Sequence, residues 1–474
     1  MKVRFCIGIA VMIILLMVGI SSVRTLQVNA ANVQGGVPGE AWVTDYVSTD
    51  PDAGYHTSIA LDDDNGDRPW IAYYNTTNGS LMVAHYVGVG NGNCNANDAW
   101  ICTEVDQVDG ESKGLYTSIA VHPDTNPDPF LSTWKVGVSY YDATYSTLKY
   151  AQYRCSFGNC EWTIQTVDSS SGGGDITGKF TSLKFSSDGT ANISYNMSDD
   201  MGDFTWEMLK YAYYVGSGSG DCGDDNDWVC QDIDGAFVSY GVNFGAYTSL
   251  DLDNEDRVYI SYYDGNAGDL KLAYYVGFGG ACGTGGDWEC IVIDDGDGDE
   301  VGLFSSVHAI NDNDDMMSIA YYNQTAGQLM YAYDTPGTGN CAPSNTWRCM
   351  VMDQVGADLT QMSISLAVSE TDVPMIAYSD DESEQMPLIL KVTSPAPSEP
   401  YANCGGEILY SWWCRTVDNA NWDLQVADYA GMAIKSNGMA VIAYSEYDSR
   451  YEEDEMHLKV TYQAFEAMIP LVAK

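Results

Sequence analysis

From about residue 40 onward the chain is written in short runs where apolar and polar positions alternate, each run closed by Gly, Asp or Asn. Alternation with a period of two, bounded by turn residues, predicts strands. One stretch shows the unit. It reads Tyr247-Thr-Ser-Leu-Asp-Leu-Asp253, a turn, Val258-Tyr-Ile-Ser-Tyr-Tyr-Asp264, a turn, Leu270-Lys-Leu-Ala-Tyr-Tyr275, a loop with Cys282, then Trp288-Glu-Cys-Ile-Val-Ile-Asp294. These are four strands, A to D, divided by turn chemistry.

The unit recurs. Strand A carries Ser at 58, 118, 182, 249, 306 and 365, with Gly431 in the seventh copy, at intervals of 60, 64, 67, 57, 59 and 66 residues. Strand B carries a tyrosine in every copy (Tyr73, Tyr140, Tyr195, Tyr262, Tyr321, Tyr378 and Tyr444), always after Ala or Ser. Six copies have all four strands, and the seventh lacks D. The missing strand stands at the other end, where Trp42-Val-Thr-Asp-Tyr-Val-Ser48 matches Trp100-Ile-Cys-Thr-Glu-Val-Asp106. A fixed period of this length marks a repeat architecture, and a displaced strand that completes the last unit closes it into a ring without open edges. The prediction is an all-β, seven-bladed β-propeller of four-stranded blades over residues 41–462, its N-terminal strand closing the last blade. An open solenoid would leave the displaced strand unexplained.

Ahead of the ring, Met1-Lys2-Val3-Arg4 precedes an apolar run from Phe5 to Ile20, and Val28-Asn29-Ala30 offers small residues for cleavage. Residues 1–30 therefore predict a secretory signal peptide followed by a linker over 31–40. Sixteen apolar residues are short for a membrane anchor, the rival reading, and no other stretch could cross. Past the ring, 463–474 form an apolar tail that resembles short sorting tails of exported bacterial proteins. Cys6 lies in the signal, which leaves twelve cysteines in six close couples: Cys94/Cys102, Cys155/Cys160, Cys222/Cys230, Cys282/Cys290, Cys341/Cys349 and Cys404/Cys414. Each couple straddles the C–D connection. An even count in an exported chain predicts disulfides, one in each of blades 1–6, and their recurrence favours pairing within each couple over zinc.

These repeats resemble secreted bacterial propeller repeats of the form S-I-A-x-D-x-x-G-x-x-x-I-[AS]-Y-Y-D…G-x-L-K-Y-A, over nearly all of the mature chain. Such proteins are loosely similar to Asp-box, sialidase-like propellers. The Asp-box itself is absent. Its nearest approach, Ser186-Ser-Asp-Gly-Thr190, has the wrong spacing and no Trp. The resemblance implies the fold and not an activity.

Charge narrows the partners. The chain has 67 acids against 20 bases, a net charge of −47, and loss of the three bases in 1–30 takes it to −50. Nucleic acid and anionic lipid are poor partners for such a surface. In a propeller, strand A lines the central channel. The D–A and B–C connections share one face, here the top, and the A–B and C–D connections share the bottom. Strand B ends in Asp142, Asp264 and Asp380 in three copies, and strand D ends in Asp106, Asp168, Asp234, Asp294, Asp353 and Asp418, so the top should be rich in carboxylates. Asp and Asn cap turns at such places. Carboxylates this dense also suit Ca²⁺, and Asp294, Asp295, Asp297, Asp299 and Glu300 form the candidate loop, although the twelfth-position Glu of an EF-hand is missing. Top loops further carry the aromatics Phe204, Trp206, Tyr240, Phe244, Tyr447 and Tyr451, candidates for sugar stacking or a protein interface.

Enzyme signals are sparse. No nucleophile or zinc-protease motif appears. A sialidase-like site needs several convergent arginines, and of Arg68, Arg154, Arg257, Arg348, Arg415 and Arg450 only the last falls in a top loop. His308 takes a strand-A position that is small in most copies and could face the channel. The reading is a secreted or cell-surface module that binds an extracellular glycan or protein through its acidic top face, with calcium as the candidate cofactor and no catalytic residue assigned. The alternatives are a carbohydrate-active hydrolase or lyase on the same scaffold, and a structural surface-assembly protein.

Overall fold

The computed structural model describes residues 40–124, 133–156, 159–169, 175–239, 241–309, 317–335, 337–341, 343, 345–356, 362–381, 388–396, 402–405, 412–419, 424–449 and 455–465. Residues 1–39, Tyr240, Arg450, Tyr451 and the end of the tail lie outside them. Seven four-stranded antiparallel sheets follow one another around a ring. Blade 4 is typical, with A at Phe244–Leu252, B at Val258–Asp264, C at Asp269–Tyr275 and D at Trp288–Asp294. The last sheet takes A, B and C from Leu424–Ile434, Ala440–Asp448 and Glu455–Phe465, and D from Glu40–Tyr46. Closure by the N-terminal strand is therefore as the repeats predict. Its register runs from Glu40 opposite Phe465 to Tyr46 opposite Lys459, so pairing takes in residues 40 and 463–465, which the sequence placed in linker and tail.

All six cysteine couples are disulfides. The Cα–Cα distances are 5.7 Å for Cys94–Cys102, 4.0 Å for Cys155–Cys160, 5.9 Å for Cys222–Cys230 and Cys282–Cys290, 5.3 Å for Cys341–Cys349 and 5.7 Å for Cys404–Cys414. The pairing is as predicted, and so is the placement of the second cysteine within strand D. In five couples only the first cysteine lies in the C–D connection. Cys102, Cys230, Cys290, Cys349 and Cys414 lie within strand D itself, each two residues after the tryptophan that opens the strand. Those tryptophans are buried in the blade, as at Trp100, Trp228, Trp288 and Trp412, and they set where the strand begins. The connection then folds back over the strand. In four blades the side chain just before the first cysteine accepts the N–H of the second: Asn93 from Cys102, Asp221 from Cys230, Asn340 from Cys349 and Asn403 from Cys414, at 2.7–3.0 Å. In blade 4 the Ala281 N–H donates instead to Glu289, beside Cys290. Blade 2 differs, because Cys155 and Cys160 face each other across strands C and D of one hairpin. Six bridges accord with an oxidising compartment. Among the described residues no helix is long and apolar enough to cross a membrane.

Three rings of side chains join blade to blade. In the first, the strand-A serine is more than a small residue fitted near the axis. Ser58 Oγ accepts the Ile119 N–H of the next blade at 3.1 Å, and Ser118, Ser182, Ser249, Ser306 and Ser365 repeat the bond at 3.0–3.1 Å. Gly431 closes this ring against the Ile59 backbone with no hydroxyl. In the second, a strand-A glycine at positive φ lies on a strand-C leucine of the preceding blade. A Cβ on Gly302 would stand 2.7 Å from the Leu270 Cα, and Gly54 meets Leu458 across the closure in the same way.

The third ring explains the invariant tyrosine and most of the acidic top. All seven strand-B tyrosines are buried, and in six blades the tyrosine donates its hydroxyl to the aspartate ending strand D of the preceding blade. The six bonds are Tyr140–Asp106, Tyr195–Asp168, Tyr262–Asp234, Tyr321–Asp294, Tyr378–Asp353 and Tyr444–Asp418, all at 2.5–2.6 Å. Burial first, then the adjacent carboxylate, pushes these phenols well above their ordinary range, so they stay protonated donors. A strand-C lysine completes the junction in four blades. Lys210, Lys271, Lys391 and Lys459 reach Asp168, Asp234, Asp353 and Asp418 at 2.5–2.7 Å. In blade 2, Lys113 takes this role on Asp106 at 3.3 Å, while Lys149 turns to Asp142. Blade 1 differs at both partners together: Tyr73 bonds Ser48, and the lysine position holds Met82. With a serine in place of the aspartate, there is no carboxylate there for a cation to neutralise.

Asp294 is the exception. It faces Tyr321 with Met330 where the lysine would be, and burial holds its carboxyl above the usual range. Tyr321→Phe should therefore leave a buried carboxylate with the Gly296 N–H as its remaining partner, and lower stability by ~2–3 kcal/mol. Tyr262→Phe, with Lys271 still on Asp234, should lose ~1–2 kcal/mol. Urea unfolding of the two variants checks the order.

Candidate functional site

The junctions place many of the predicted top-face residues inside the ring. Asp142, Asp264 and Asp380 are buried, not presented to solvent. Asp142 accepts the Thr144 and Tyr145 N–H groups, Asp264 accepts those of Asn266 and Ala267, and Asp380 pairs with Lys391 at 2.7 Å. They hold turns and neutralise junction lysines, because a carboxylate at the end of a buried strand must find donors there. Phe244 is 2% exposed and packs edge-on against Tyr262 under Lys271, so it belongs to the core. Tyr447 is half-buried in strand B of blade 7.

The candidate calcium loop does not draw its carboxylates together. Asp294 is buried at the Tyr321 junction, Asp295 accepts the Asp297 N–H, and Asp299 accepts from Asn323 at 3.1 Å. Among the described residues no three His, Cys, Asp or Glu side chains gather as metal ligands. Glu300 is exposed and turns to a different site.

Blade 3 carries the aromatics that remain outside. Its outer strands are long, Phe204–Tyr214 and Trp228–Ser239, and form an arm continuing past the top of the ring. Phe204 is 57% exposed and Phe237 62%, and Trp206 lies on Phe237 with ring centroids 4.5 Å apart. Past Ser239 the chain returns through 241–243 to blade 4. There the Gly265 N–H donates to the Asn243 carbonyl at 2.9 Å, and a Cβ at residue 265 would stand 2.1 Å from that oxygen. Only glycine lets the loop seat so closely.

The seated loop walls a cleft of about 300 Å³ between blades 4 and 5 on the top face. Tyr247, Tyr263 and Phe304 supply aromatic surface, and Asn243, Gln324 and Glu300 supply polar groups. The Tyr263 ring is buried, but its hydroxyl has no partner among the described residues. Burial first, then Glu300, raises this phenol well above its ordinary range, so it enters any contact protonated. Of the described lining residues, Glu300 is the single acid.

Tyr247 and Phe304 also belong to a collar around the channel mouth that the sequence reading did not single out. His56, Tyr116, Phe180, Tyr247, Phe304 and Tyr429 each sit two residues before the strand-A Ser or Gly, at a β-bulge with φ of 52–54°. Neighbouring rings pack at 4.4–4.8 Å from Tyr429 through His56 round to Phe304, and Ser363 opens the collar in blade 6. Left-handed backbone costs a non-glycine residue about 1–2 kcal/mol. The next blade offsets it. Hydroxyls of Thr181, Thr248 and Ser305 donate to the bulge carbonyls of Tyr116, Phe180 and Tyr247 at 2.8–3.0 Å, and Thr117 does so to His56. The motif aromatic-Thr-Ser was the available signal.

The fold and these sites define a disulfide-stapled, strand-closed seven-bladed propeller. No protein-family model matches the chain, and no curated protein sequence matches it. Among solved structures it is similar to the α-L-arabinofuranosidase Arb93A from Fusarium graminearum in complex with an iminosugar inhibitor, at 12% identity, covering 72% of this chain and 92% of that one, with a TM-score of 0.40. It is also similar to the endo-arabinase from Bacteroides thetaiotaomicron, at 9% identity, covering 87% and 95%, with a TM-score of 0.29. Likeness at this level bears on neither activity nor substrate.

The collar makes a pH-dependent prediction. Burial lowers the His56 imidazole from 6.5 to about 4, so the folded state binds fewer protons than the unfolded chain between those values. Stability contributed by neutral His56 is present above pH 6.5 and lost as pH falls toward about 4. His56→Phe keeps the ring and should remove ~1–3 kcal/mol of that loss. Thermal melts of both proteins across the window check it.

Proposed function

We propose that the protein is an exported binding module that takes a saccharide in the top-face cleft between blades 4 and 5. The observation that carries this reading is the Tyr263 hydroxyl, without a partner among the described residues and set beside the aromatic surface of Tyr247 and Phe304 and the exposed Glu300. Aromatic faces pack against sugar C–H groups, and a phenol, a carboxylate and two amides hydrogen-bond hydroxyls. Phe204, Trp206 and Phe237 on the blade 3 arm extend the apolar surface beyond the loop that walls the cleft, which suits a ligand longer than one ring.

Binding is favoured over hydrolysis by the cleft's chemistry. Two-carboxylate glycoside hydrolysis needs a pair held ~5–10 Å apart, and the described cleft lining holds Glu300 alone. Calcium enters as an arm of the test.

Tyr263→Phe removes one hydroxyl that makes no hydrogen bond among the described residues, and Glu300→Gln removes charge at an exposed site. On a broad glycan array, in calcium and again in EDTA, the wild-type protein should bind a restricted set of glycans. Each variant should weaken binding to that set by about tenfold, ~1.4 kcal/mol, with its melting temperature unchanged. A silent array, or variants that bind as wild type does, would overturn the reading. Loss in EDTA would add calcium to it.

A further inference from the structure

The central channel carries a second constellation, in its bottom half and on residues that the top-face cleft does not use. Two residues past the strand-A serine position, blades 1, 2, 6 and 7 hold Ala60, Ala120, Ala367 and Ala433, whereas blades 3, 4 and 5 hold Lys184, Asp251 and His308. All seven line one cavity of about 660 Å³. A separate hollow of about 210 Å³ lies at the collar, and no residue lines both. The bottom cavity is of ordinary ligand size, apolar along one arc and polar along the other.

The polar arc is ordered. Asp251 pairs with Lys184 Nζ at 3.2 Å and with His308 Nδ1 at 3.3 Å, and it accepts the Ala309 N–H at 3.0 Å. Burial alone would raise this carboxyl, but Lys184, His308 and the Ala309 N–H outweigh it and lower it to about 2. Asp251 is thus an anion whose oxygens are all committed to protein donors. Lys184 is not committed in the same way, since half of its side chain is exposed. His308 sets Nδ1 3.3 Å from Asp251, and its Nε2 has no partner among the described residues. A purely blade-linking role would recur around the ring, as the serine and tyrosine bonds do. Instead it is confined to three consecutive blades. The other four line the opposite side with Ala, Ile59, Ile119 and Leu366, and blade 2 adds His122, whose ring nitrogens face the Thr133 and Ser187 carbonyls.

We propose that this cavity binds a small monocarboxylate with an apolar body. The ligand carboxylate meets the Lys184 ammonium, held in place by Asp251. The apolar body lies on the alanine arc, and His308 Nε2 offers an acceptor to a ligand hydroxyl. The chain's overall negative charge disfavours anion entry, but salt screens it over about 8 Å at physiological ionic strength, and the half-exposed Lys184 ammonium keeps donors beyond the one that faces Asp251.

The probe is 4-fluorophenylacetate, followed by fluorine NMR with the purified protein. Saturable line broadening is expected, reversed by phenylacetate and not by phenylacetamide. Lys184→Met should weaken probe binding by at least about tenfold. Ala433→Leu, on the apolar arc, should abolish it by filling the space. Lys184→Gln serves as the second charge variant, and melting temperature confirms the fold of all three. Absence of saturable broadening with the wild-type protein, equal displacement by the amide, or unchanged affinity in the folded lysine variants would overturn the proposal. Tyr263→Phe should leave the probe's affinity as it was, which separates this site from the saccharide cleft.

Discussion

A buried tyrosine hydroxyl held by the aspartate that ends a neighbouring strand, across the gap between two sheets, is the contact on which the ring depends. Sheets alone pair within blades, and nothing in their ladders fixes one blade against the next. The Tyr–Asp bond does so at six junctions, and Tyr73 with Ser48 does so at the seventh. Its chemistry explains the composition. Each buried aspartate needs a second donor, and in an acid-rich chain the scarce lysines stand where those carboxylates require them. Burial disfavours the charged lysine, but Asp353 and Asp380 raise the Lys391 ammonium, and Asp418 and Glu446 do the same for Lys459. Breaking such a group by removing one partner is far more damaging than the net contribution of the intact group would suggest.

A ring fixed at every junction confines variation to what the junctions do not use. That is the top loops between strands D and A, and the channel-facing position beyond the strand-A serine. Blade 3 exploits the first, by lengthening its outer strands and returning through a loop that Gly265 seats against blade 4. Blades 3 to 5 exploit the second, by replacing alanine with Lys184, Asp251 and His308. Both departures from the repeat fall on the same sector of the ring, at opposite ends of the channel. The aromatic collar separates them, so ligands at one need not pass the other.

The architecture was legible in the sequence because its signals are local and repeated. Period, turn residues, cysteine couples and the displaced strand around Trp42 each appear within a few residues of one another. What the aspartates do was less legible. Asp168 and Tyr195 lie 27 residues apart, and their meeting depends on how blades stack, although the presence of both in nearly every copy, with lysine in strand C, was a usable hint. Turn chemistry and acidity made Asp142, Asp264 and Asp380 look like an open acidic face, whereas burial turns them inward. Phe244 was misplaced for a similar reason, since a residue assigned to a loop proved to begin a buried strand. The cleft was not legible at all, because it forms only when the 241–243 loop closes on Gly265. His308 was noticed alone. Aligning the copies at its position would have brought Lys184 and Asp251 with it.

The most direct test of this account is a double-mutant cycle at one junction, with Tyr378→Phe and Asp353→Asn made singly and together and their unfolding free energies compared. Tyr378 donates to Asp353 at 2.6 Å in a part-buried junction between blades 5 and 6. If blade-to-blade fixation rests on this bond, the two changes should couple by about 1.5–3 kcal/mol. Additive effects, with coupling indistinguishable from zero, would mean that this bond does not fix one blade against the next and would contradict the account.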